Sequence, residues 1–559
     1  MPLCRLNMIA ITLILAGSVA AQPKPVRTRT VSSRLPGTAI NAMQAIKPEN
    51  VETHVRFLSS DLLEGRGTGQ RGGDIAAEYI AAQFALYGLK PAGDKGTYMQ
   101  KVPMVGITPA GDTRFAFIPP SGQPKDLKLL DEYVAYDQTQ QPASDIDAEI
   151  VYVGYGIVAP EYNWDDYKGV DVKGKVLLML VNQPTDDPKL FHGKALTYYG
   201  RWTYKYEEAA RKGAAGAILI HKTDMASYGW EVVRNSNSGE KSYLKLDGTP
   251  KLKAAAWIQL DIARNLVNAA GQNLEKLMSD ARSRDFKPLP LGVRLQAHMA
   301  SKIRPFESNN VIGVLPGADK NLKDEGVMYS AHYDHLGVRP DMPGDNIYNG
   351  AMDNGTGCGI LLEIARAYSL SQQKPRRSVY FASVTAEEQG LLGSEYLGKH
   401  PPIAAGKIQL DLNYDDVKPL GAPEEVETAG AERTSFFPVV QALAEEFRFK
   451  IRPDARPEAG HYYRSDHFSL ARVGIPAFSI NEGMKFKHHD EAWGLAQDAD
   501  YTKNHYHQPS DEYHPGMDYT SNAAMARFGF ALGWEAANQS TLITWKKGDE
   551  FERARVAGQ

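Results

Sequence analysis

Residues 309–545 alternate between short apolar runs and amphipathic segments, and this alternation constrains the fold of the 559-residue chain more than any other feature. The runs at 311–315, 327–331 and 377–384 are mainly apolar and predict buried strands. Residues 360–368 carry apolar side chains at helical spacing and predict an intervening helix. This order predicts an α/β fold, with a largely parallel sheet covered by helices on both faces. In such sheets functional residues gather at the carboxyl ends of the strands.

Residues 327–359 place a histidine and two aspartates where such a fold presents its functional side chains. His332 and Asp334 follow the strand predicted at 327–331, and Asp353 precedes the next predicted helix. A histidine and a carboxylate at a strand end, with a second carboxylate at the start of a helix, are typical of one half of a metal site. We therefore expect later segments of the chain to supply the other half.

Three later segments carry further candidate ligands. Glu387 and Glu388 follow the strand predicted at 377–384. Residues 411–416 close another predicted strand with a run of acids, which is costly on a buried strand unless the acids are paired or bound to metal. His507 lies in a polar segment near the C-terminus. Each segment alone is more typical of a solvated surface, so the prediction depends on their combination.

Together these candidates make a mixed nitrogen and oxygen ligand set. Two ions that share one carboxylate, each with its own histidine and terminal carboxylate, would use His332, Asp353, Glu388, His507 and one Asp of the 411–416 run. Zinc accepts such ligands, and bridged pairs of this type clamp a hydrolytic water. Asp334 is then predicted to orient the imidazole of His332, and Glu387 is left as a general base.

Five segments resemble, in this order, the metal-site motifs of metallopeptidase family 28: AHYDHLG, GAMDNGTG, TAEEQGLLGSEY, LNYDD and YHQPSDEY. Because this family comprises di-zinc aminopeptidases, the resemblance implies a phosphorylase/hydrolase-like three-layer sandwich whose central sheet is mixed and mainly parallel. Residues 131–295 resemble the β-rich protease-associated domain that many members carry as an insertion. These residues are called the inserted segment below.

The resemblance also implies a role for individual residues. It assigns His332 and Glu388 to one zinc, Asp415 and His507 to the other, and Asp353 to both. It assigns the catalytic base to Glu387, the orienting acid to Asp334 and oxyanion stabilisation to Tyr462, with Asp411 as the alternative ligand to Asp415. Asp416 departs from the family pattern, in which Met follows this ligand. An extra acid there could perturb the metal, select a cationic substrate or point away.

The predicted function is that of a zinc-dependent exopeptidase, which uses two zinc ions to hydrolyse N-terminal residues from peptides. A carboxypeptidase or a glutaminyl-cyclase-like enzyme on the same scaffold remains an alternative. A non-enzymatic binding protein is disfavoured because all five ligands and the base are present. The sequence has no G-x-S-x-G motif, which disfavours a serine hydrolase, and no H-E-x-x-H motif, which excludes a helix-borne zincin.

Peptides are the expected partners of this chain. A net charge of −4 and the lack of a basic stripe give no indication of nucleic acid binding. Residues 1–21 combine Arg5, a short apolar core and terminal small residues, which predicts a secretory signal, and hence export without stable membrane insertion. The sequence leaves the oligomeric state open.

The chain is expected to divide into several segments. These are a linker at 22–48, the first part of the peptidase domain at 49–130, the inserted segment, the second part with the metal site at 296–545, and a charged, frayed tail at 546–559. A G-x-G-x-x-G match at 67–72 has no strand before it and is predicted to be a loop rather than a dinucleotide site. Cys358 remains alone after the signal and is expected to be a packing residue.

Overall fold

The computed structural model describes residues 35–557, except residues 186, 192, 341 and 455. The predicted signal sequence and the predicted linker up to residue 34 lie outside the described residues. The α-helices begin with α1 (Gly37–Gln44), α2 (Pro48–Leu58), α3 (Arg71–Leu86), α4 (Trp202–Arg211), α5 (Thr223–Ala226), α6 (Trp230–Asn235), α7 (Leu260–Ala269) and α8 (Leu274–Asp280). They continue with α9 (Gly357–Leu370), α10 (Leu392–Lys399), α11 (Phe437–Phe447), α12 (His467–Arg472), α13 (Glu491–Asn504), α14 (Thr520–Asn538) and α15 (Glu552–Ala557). Within the described ranges, no helix is long and apolar enough to cross a membrane.

The strands begin with β1 (Lys90–Pro91), β2 (Met99–Pro109), β3 (Arg114–Ile118), β4 (Lys125–Asp126), β5 (Tyr133–Tyr136), β6 (Ala143–Tyr152), β7 (Val158–Ala159) and β8 (Trp164–Asp165). They continue with β9 (Val176–Leu180), β10 (Gly216–His221), β11 (Lys241–Leu244), β12 (Ala254–Gln259), β13 (Leu289–Leu315), β14 (Gly326–His332), β15 (Gly337–Val338) and β16 (Ile347–Tyr348). The last strands are β17 (Ser378–Val384), β18 (Ile408–Asn413), β19 (Glu425–Glu427), β20 (Lys450–Arg452), β21 (Ala477–Ser479) and β22 (Asn481–Glu482).

The central sheet has the strand order β21-β18-β14-β17-β13. The first four strands run parallel, whereas β13 pairs antiparallel with β17 and also with β1 and β2. Every residue of β14, β17 and β18 is buried, as the continuous apolar runs predict for strands covered on both faces. The sheet is therefore mixed and mainly parallel, as predicted.

Successive side chains of the central strands enter two different apolar cores. Val327 and Tyr329 of β14 pack in the larger core with α2, α3, α9, α11 and α14, whereas Met328 packs on the other face with α10 and α12. This alternation follows from the pleat of a β-strand. Helices thus cover both faces of the sheet, which confirms the predicted α/β fold class.

The 27-residue strand β13 continues from the central sheet into a second sheet. There it pairs with β3 and β6, and the order continues β6-β9-β10-β12-β5. This second sheet has apolar clusters on both faces, for example around Ile218 and Leu219 of β10. It extends past both ends of the inserted segment, because β3 begins at Arg114 and the β13–β6 pairing reaches Ala300. Within the inserted segment, β11 pairs instead with β2 of the central sheet.

The predicted linker is wrong for residues 35–48. This stretch contains α1, and Ala39, Ala42 and Ile46 are buried in the larger core. Its small apolar residues recur at helical spacing, but the polar and Pro-rich composition before them dominated the prediction.

The predicted frayed tail is wrong for residues 546–557. Phe551 is buried among the apolar residues beside α12, and α15 follows it. The guanidinium of Arg555 donates hydrogen bonds to the carbonyl oxygens of Ala405 and Ile408. A single aromatic anchor therefore outweighs the charge of the surrounding residues.

Residues 67–70 of the glycine-rich segment form a loop, as predicted, whereas Arg71 and Gly72 begin α3. The loop follows a turn of 3-10 helix at Asp61–Arg66. A Cβ atom on Gly72 would lie 1.7 Å from the carbonyl oxygen of Leu63, so the chain packs too closely there for any other residue. This glycine therefore serves chain packing.

Candidate metal centre

Three neighbouring parallel strands deliver the candidate ligands to one edge of the central sheet. His332 ends β14 and is in register with the last residue of β17. Glu387 and Glu388 follow β17, while Asp415 follows β18 on the other side of β14. The strand order therefore places His332 between the two acidic segments.

Asp353 reaches this edge from the segment that precedes α9. The carboxylate of Asp511 accepts hydrogen bonds from the N–H groups of Met352 (3.0 Å) and Asp353 (3.1 Å). Asp353 itself is buried. The sequence prediction missed Asp511, although it lies in the same YHQPSDEY motif as His507.

The two carboxylate oxygens of Asp353 face different histidines. Oδ1 lies 3.3 Å from Nε2 of His332, and Oδ2 lies 3.2 Å from Nε2 of His507. The same nitrogen of His332 lies 3.1 Å from Oδ1 of Asp415, and that of His507 lies 3.1 Å from Oε2 of Glu388. Asp353 therefore lies between two donor groups, each with one histidine and one further carboxylate.

His335 adds a second imidazole beside Glu388. Its Nδ1 lies 2.6 Å from Oε1 of Glu388 and 3.9 Å from Oδ2 of Asp353. The potential ligand atoms of His335, Asp353 and Glu388 lie within 4.8 Å of one another, as do those of His332, Asp353 and Asp415. The sequence prediction missed His335, although its position three residues after His332 at the same strand end could have indicated it.

The observed grouping differs from the pairing that the resemblance implied. His332 lies with Asp415 and Glu388 lies with His507, whereas the prediction paired His332 with Glu388 and Asp415 with His507. His335 engages the other carboxylate oxygen of Glu388. All five predicted ligands nevertheless converge at one edge of the sheet.

Burial and mutual interaction shift the proton affinities of this cluster. Burial lowers the pKa of His332, but Asp415, Glu387 and Asp353 together outweigh it, and the pKa of His332 lies well above its ordinary value. The pKa of His507 is raised in the same way, because Glu388 and Asp353 together outweigh burial. Burial raises the pKa of Asp353, but hydrogen bonds from the two histidines hold that pKa well below its usual range. Buried carboxylates that remain charged require positive charge nearby.

The donor set is suited to divalent cations that accept both imidazole and carboxylate. Each group offers one or more histidine nitrogens together with carboxylate oxygens, and Asp353 belongs to both groups. Zinc accepts this combination, whereas calcium and magnesium prefer oxygen ligands alone. The residues present therefore fit a zinc centre.

Asp334 holds the backbone of Glu387 more directly than it holds His332. Its carboxylate accepts hydrogen bonds from the N–H of Glu387 (3.1 Å) and the hydroxyl of Thr68 (3.0 Å). Nδ1 of His332 lies 3.1 Å from the backbone carbonyl oxygen of Asp334 but 3.8 Å from its carboxylate. Burial raises the pKa of Asp334 to about 6. The predicted orienting carboxylate thus positions the segment of the predicted base, and a backbone carbonyl orients the imidazole.

Arg66 fastens the segments that carry these ligands, and sequence reasoning missed it. Its buried guanidinium donates hydrogen bonds to four carbonyl oxygens, those of Leu58, Tyr333, Asn349 and Gly350. Of these acceptors, Tyr333 directly follows His332, and Gly350 lies three residues before Asp353 in the chain. The only usable indication was an arginine within a glycine-rich loop.

Asp415, rather than Asp411 or Asp416, faces the histidines. Asp411 is buried on β18 and accepts a hydrogen bond from the hydroxyl of Ser330 (3.1 Å). Burial raises the pKa of Asp411 well above its ordinary value, which favours the neutral carboxyl. Asp416 adopts the left-handed conformation (φ 57°) and accepts a hydrogen bond from the hydroxyl of Tyr501 (3.3 Å) on α13.

The structure does not support the predicted oxyanion role of Tyr462. Its hydroxyl donates a hydrogen bond to the carbonyl oxygen of Ala477 (3.1 Å), at the start of β21. The ring packs edge-on against His467 at a centroid distance of 4.7 Å. The hydroxyl is therefore committed to a backbone carbonyl of β21, in register with Asp411 of β18.

Cys358 is a packing residue, as predicted. It is buried at the start of α9, and its thiol donates a hydrogen bond to the carbonyl oxygen of His332 (3.1 Å). Burial raises the pKa of the thiol. A neutral thiol of this kind is neither a nucleophile nor a metal ligand.

Comparison with known proteins agrees with this geometry. Residues 310–532 match the sequence model of Peptidase family M28. A probable leucine aminopeptidase of Trichophyton verrucosum is 30% identical over 187 residues, which cover 32% of this chain and 46% of that protein. Aminopeptidase YwaD of Bacillus subtilis is 36% identical over 109 residues, which cover 19% of this chain and 21% of that protein. The matches thus span less than half the length of either relative.

A solved structure extends the likeness to nearly the whole fold. The aminopeptidase from Aneurinibacillus sp. strain AM-1 matches with a TM-score of 0.50 at 20% sequence identity. The match covers 90% of this chain and 97% of that chain. It therefore includes the second sheet as well as the central one.

Proposed function

We propose that this protein is a zinc-dependent aminopeptidase, which hydrolyses the N-terminal peptide bond of peptides. The observation that carries the proposal is Asp353, whose two carboxylate oxygens lie 3.3 and 3.2 Å from the two histidines. One zinc ion would be held by His332, Asp353 and Asp415. The other would be held by Asp353, Glu388 and His507. The aminopeptidase names of the two relatives described above support the proposal.

Two bound zinc ions would supply Lewis acidity and lower the pKa of a water molecule toward about 7. The chain itself supplies a proton carrier, Glu387. Burial raises the pKa of Glu387 well above its ordinary value, an effect that His332 offsets in part and Asp415 reinforces. A carboxyl group with a raised pKa suits general acid–base catalysis near neutral pH. Glu387 would take a proton from the attacking water and return it to the leaving amine.

The surrounding residues hold this base in place. The N–H of Glu387 donates to Asp334, and the same carboxylate is held by Thr68. The carbonyl oxygen of Glu387 accepts hydrogen bonds from the N–H groups of Gly390 (2.8 Å) and Leu391 (2.9 Å). The base therefore lies on a segment fixed at both ends, as proton transfer over a short distance requires.

The proposal is tested by peptide hydrolysis with a matched pair of variants. The zinc-loaded protein should hydrolyse Leu-Gly-NH₂ but leave N-acetyl-Leu-Gly intact, and chelation should abolish the activity until zinc is restored. Glu387→Gln should retain zinc and lose roughly 100-fold or more in kcat. Glu446→Gln, an exposed control on α11, should leave kcat unchanged.

Two results would overturn the proposal. Hydrolysis of only the amino-blocked peptide would indicate a carboxypeptidase. Full activity of Glu387→Gln would remove the assigned base.

The place of action and the inserted segment complete the proposal. The apolar N-terminal pattern supports export, so the enzyme would act on peptides outside the cytoplasm. Leu196 of the inserted segment donates a backbone hydrogen bond to Pro457 of the peptidase domain (2.9 Å). The inserted segment would therefore border the cleft and restrict access to it. Its removal should broaden the range of peptide lengths accepted.

A further inference from the structure

Three cationic side chains converge beside the candidate metal centre. Arg201 and Lys241 belong to the inserted segment, and Arg464 belongs to the peptidase domain. We call these residues the basic cluster. Among the described residues, none of the three forms an ion pair within 4.0 Å. The Nε atoms of Arg201 and Arg464 are buried and have no hydrogen-bond partner there.

Lys241 and Arg464 are placed by contacts with the ligand segments. The N–H of Ser242 donates to the side-chain oxygen of Gln389 (3.3 Å), so Lys241 lies next to the segment of Glu387 and Glu388. Arg464 directly precedes Ser465, whose hydroxyl donates a hydrogen bond to the carboxylate of Asp415. The cluster therefore borders both acidic segments.

Arg201 is placed by the contact between the inserted segment and α12. Its N–H donates to the carbonyl oxygen of Tyr198 (3.0 Å), and the ring of Tyr198 packs on Phe468 at a centroid distance of 5.0 Å. Arg472 of the same helix lies over the Tyr198 ring and 3.2 Å from Glu207 of α4. This docked interface holds Arg201 against the peptidase domain.

The charges of the cluster act on one another and on the predicted base. Burial, together with the nearby Arg464, lowers the pKa of Arg201 to about 10, and the charges of Tyr228, Tyr198 and Glu387 offset part of this shift. Burial also lowers the pKa of Lys241, against the charges of Glu388 and Glu387. Cations that are partly removed from water and lack an anionic partner are costly to maintain.

The acids nearest the cluster have another role in the proposed function. Glu388 would bind zinc, which neutralises its charge, and Glu387 would carry a proton during the reaction. The basic cluster would then leave net positive charge beside Glu387 and Glu388. Arginine matches carboxylates through two parallel hydrogen bonds, and lysine adds a third cation.

We propose that the basic cluster binds a carboxylate of the peptide substrate and makes acidic or very short peptides the preferred substrates. The proposal rests on the proposed function, because it names the substrate class of that same site. The carboxylate has two sources, the side chain of an N-terminal Glu or Asp, or the free C-terminus of a dipeptide. Both sources share one chemistry, and the experiment separates them.

The test compares two pairs of peptides on the zinc-loaded protein. Glu-Ala-NH₂ against Gln-Ala-NH₂ tests the side-chain carboxylate, and Leu-Gly against Leu-Gly-NH₂ tests the terminal one. The carboxylate member of at least one pair should have a kcat/KM roughly tenfold higher or more, as expected for a charged hydrogen bond. Arg201→Gln, Arg464→Gln and Lys241→Gln should each reduce that ratio toward one and leave the neutral peptide within about threefold. Arg211→Gln, on the same helix that Arg201 precedes, should leave the ratio unchanged.

Several outcomes would overturn the inference. A ratio near one in both pairs for the wild type would show that no carboxylate is recognised. An equal loss for both members of a pair would show a structural role, and thermal unfolding of each variant identifies a misfolded one. If one arginine variant does not fold, the other two variants still decide the question. Failure of the proposed aminopeptidase function would give a different result from failure of this inference, because the wild type would then hydrolyse none of the four peptides.

Discussion

Replacing Arg66 should cost more stability than any exposed arginine, although it contacts no ligand of the proposed metals. Its guanidinium hydrogen-bonds to Tyr333 (2.6 Å), Leu58 (2.6 Å), Asn349 (2.5 Å) and Gly350 (2.8 Å), all at carbonyl oxygens. The side chain is fully buried, and burial lowers the pKa of the guanidinium. Arg66→Met would leave these four carbonyl oxygens without their donors.

The magnitude follows from the number and kind of these hydrogen bonds. Hydrogen bonds to charged groups contribute about 1.5–3 kcal/mol each, so a simple sum for four bonds would be about 6–12 kcal/mol. The sum overstates the loss, because the wild type also bears the desolvation of a buried cation and the bonds are not independent. The free energy of unfolding of Arg66→Met should therefore fall by about 4 kcal/mol. This value is similar to the loss of about 3–5 kcal/mol that follows when one partner of a buried charge pair is removed.

Urea unfolding of the zinc-loaded and the chelated protein measures this loss. Arg71→Met is the control, because Arg71 pairs with Glu64 on the surface and should contribute less than about 1 kcal/mol. Zinc affinity should also fall in Arg66→Met, since Tyr333 and Gly350 are close in the chain to His332 and Asp353. A loss of stability within about 1 kcal/mol of the Arg71→Met control would refute this reasoning.

Two further perturbations test the packing around the site. Burial lowers the pKa of His54 from 6.5 to about 4, so the unfolded chain binds a proton between these values that the folded chain does not. Stability should therefore decrease as the pH falls from 6.5 to 4, by up to about 3 kcal/mol from this residue; His54→Gln should show a shallower decrease in urea unfolding, and identical slopes would contradict the assignment. A Cβ atom on Gly529 would lie 1.5 Å from the hydroxyl oxygen of Tyr414, so Gly529→Ala should lower the free energy of unfolding by about 2 kcal/mol. Tyr414→Phe should relieve part of that loss in a double-mutant cycle, and strictly additive effects would show that the hydroxyl is not the obstacle.

The fold of residues 309–545 follows from the sequence because its strands are buried on both faces. Continuous apolar runs such as the one before His332 mark these strands. Four candidate ligands were found because they closely follow such runs or precede a helix, whereas His507 was found through its YHQPSDEY motif. These are local patterns that a sequence records.

The arrangement within the site depends on relations that the sequence does not record. His332 lies between the strands that precede Glu388 and Asp415, so only the side-chain directions decide which acid it faces. Arg201 directly precedes α4 and Lys241 begins β11, both more than eighty residues before His332, so their spacing in the sequence gives no indication that they lie near it. The extent of the second sheet was missed because one long strand, β13, belongs to both sheets.

The zinc content of the purified protein tests the central claim most directly. Two ions per chain are expected for the wild type, and for Asp411→Asn, whose carboxyl is hydrogen-bonded to Ser330 on the neighbouring strand β14. Asp353→Asn should lower the content below two, because its carboxylate oxygens face both donor groups. A wild type that holds one ion or none, or an Asp353→Asn variant that holds two as tightly as the wild type, would contradict the account.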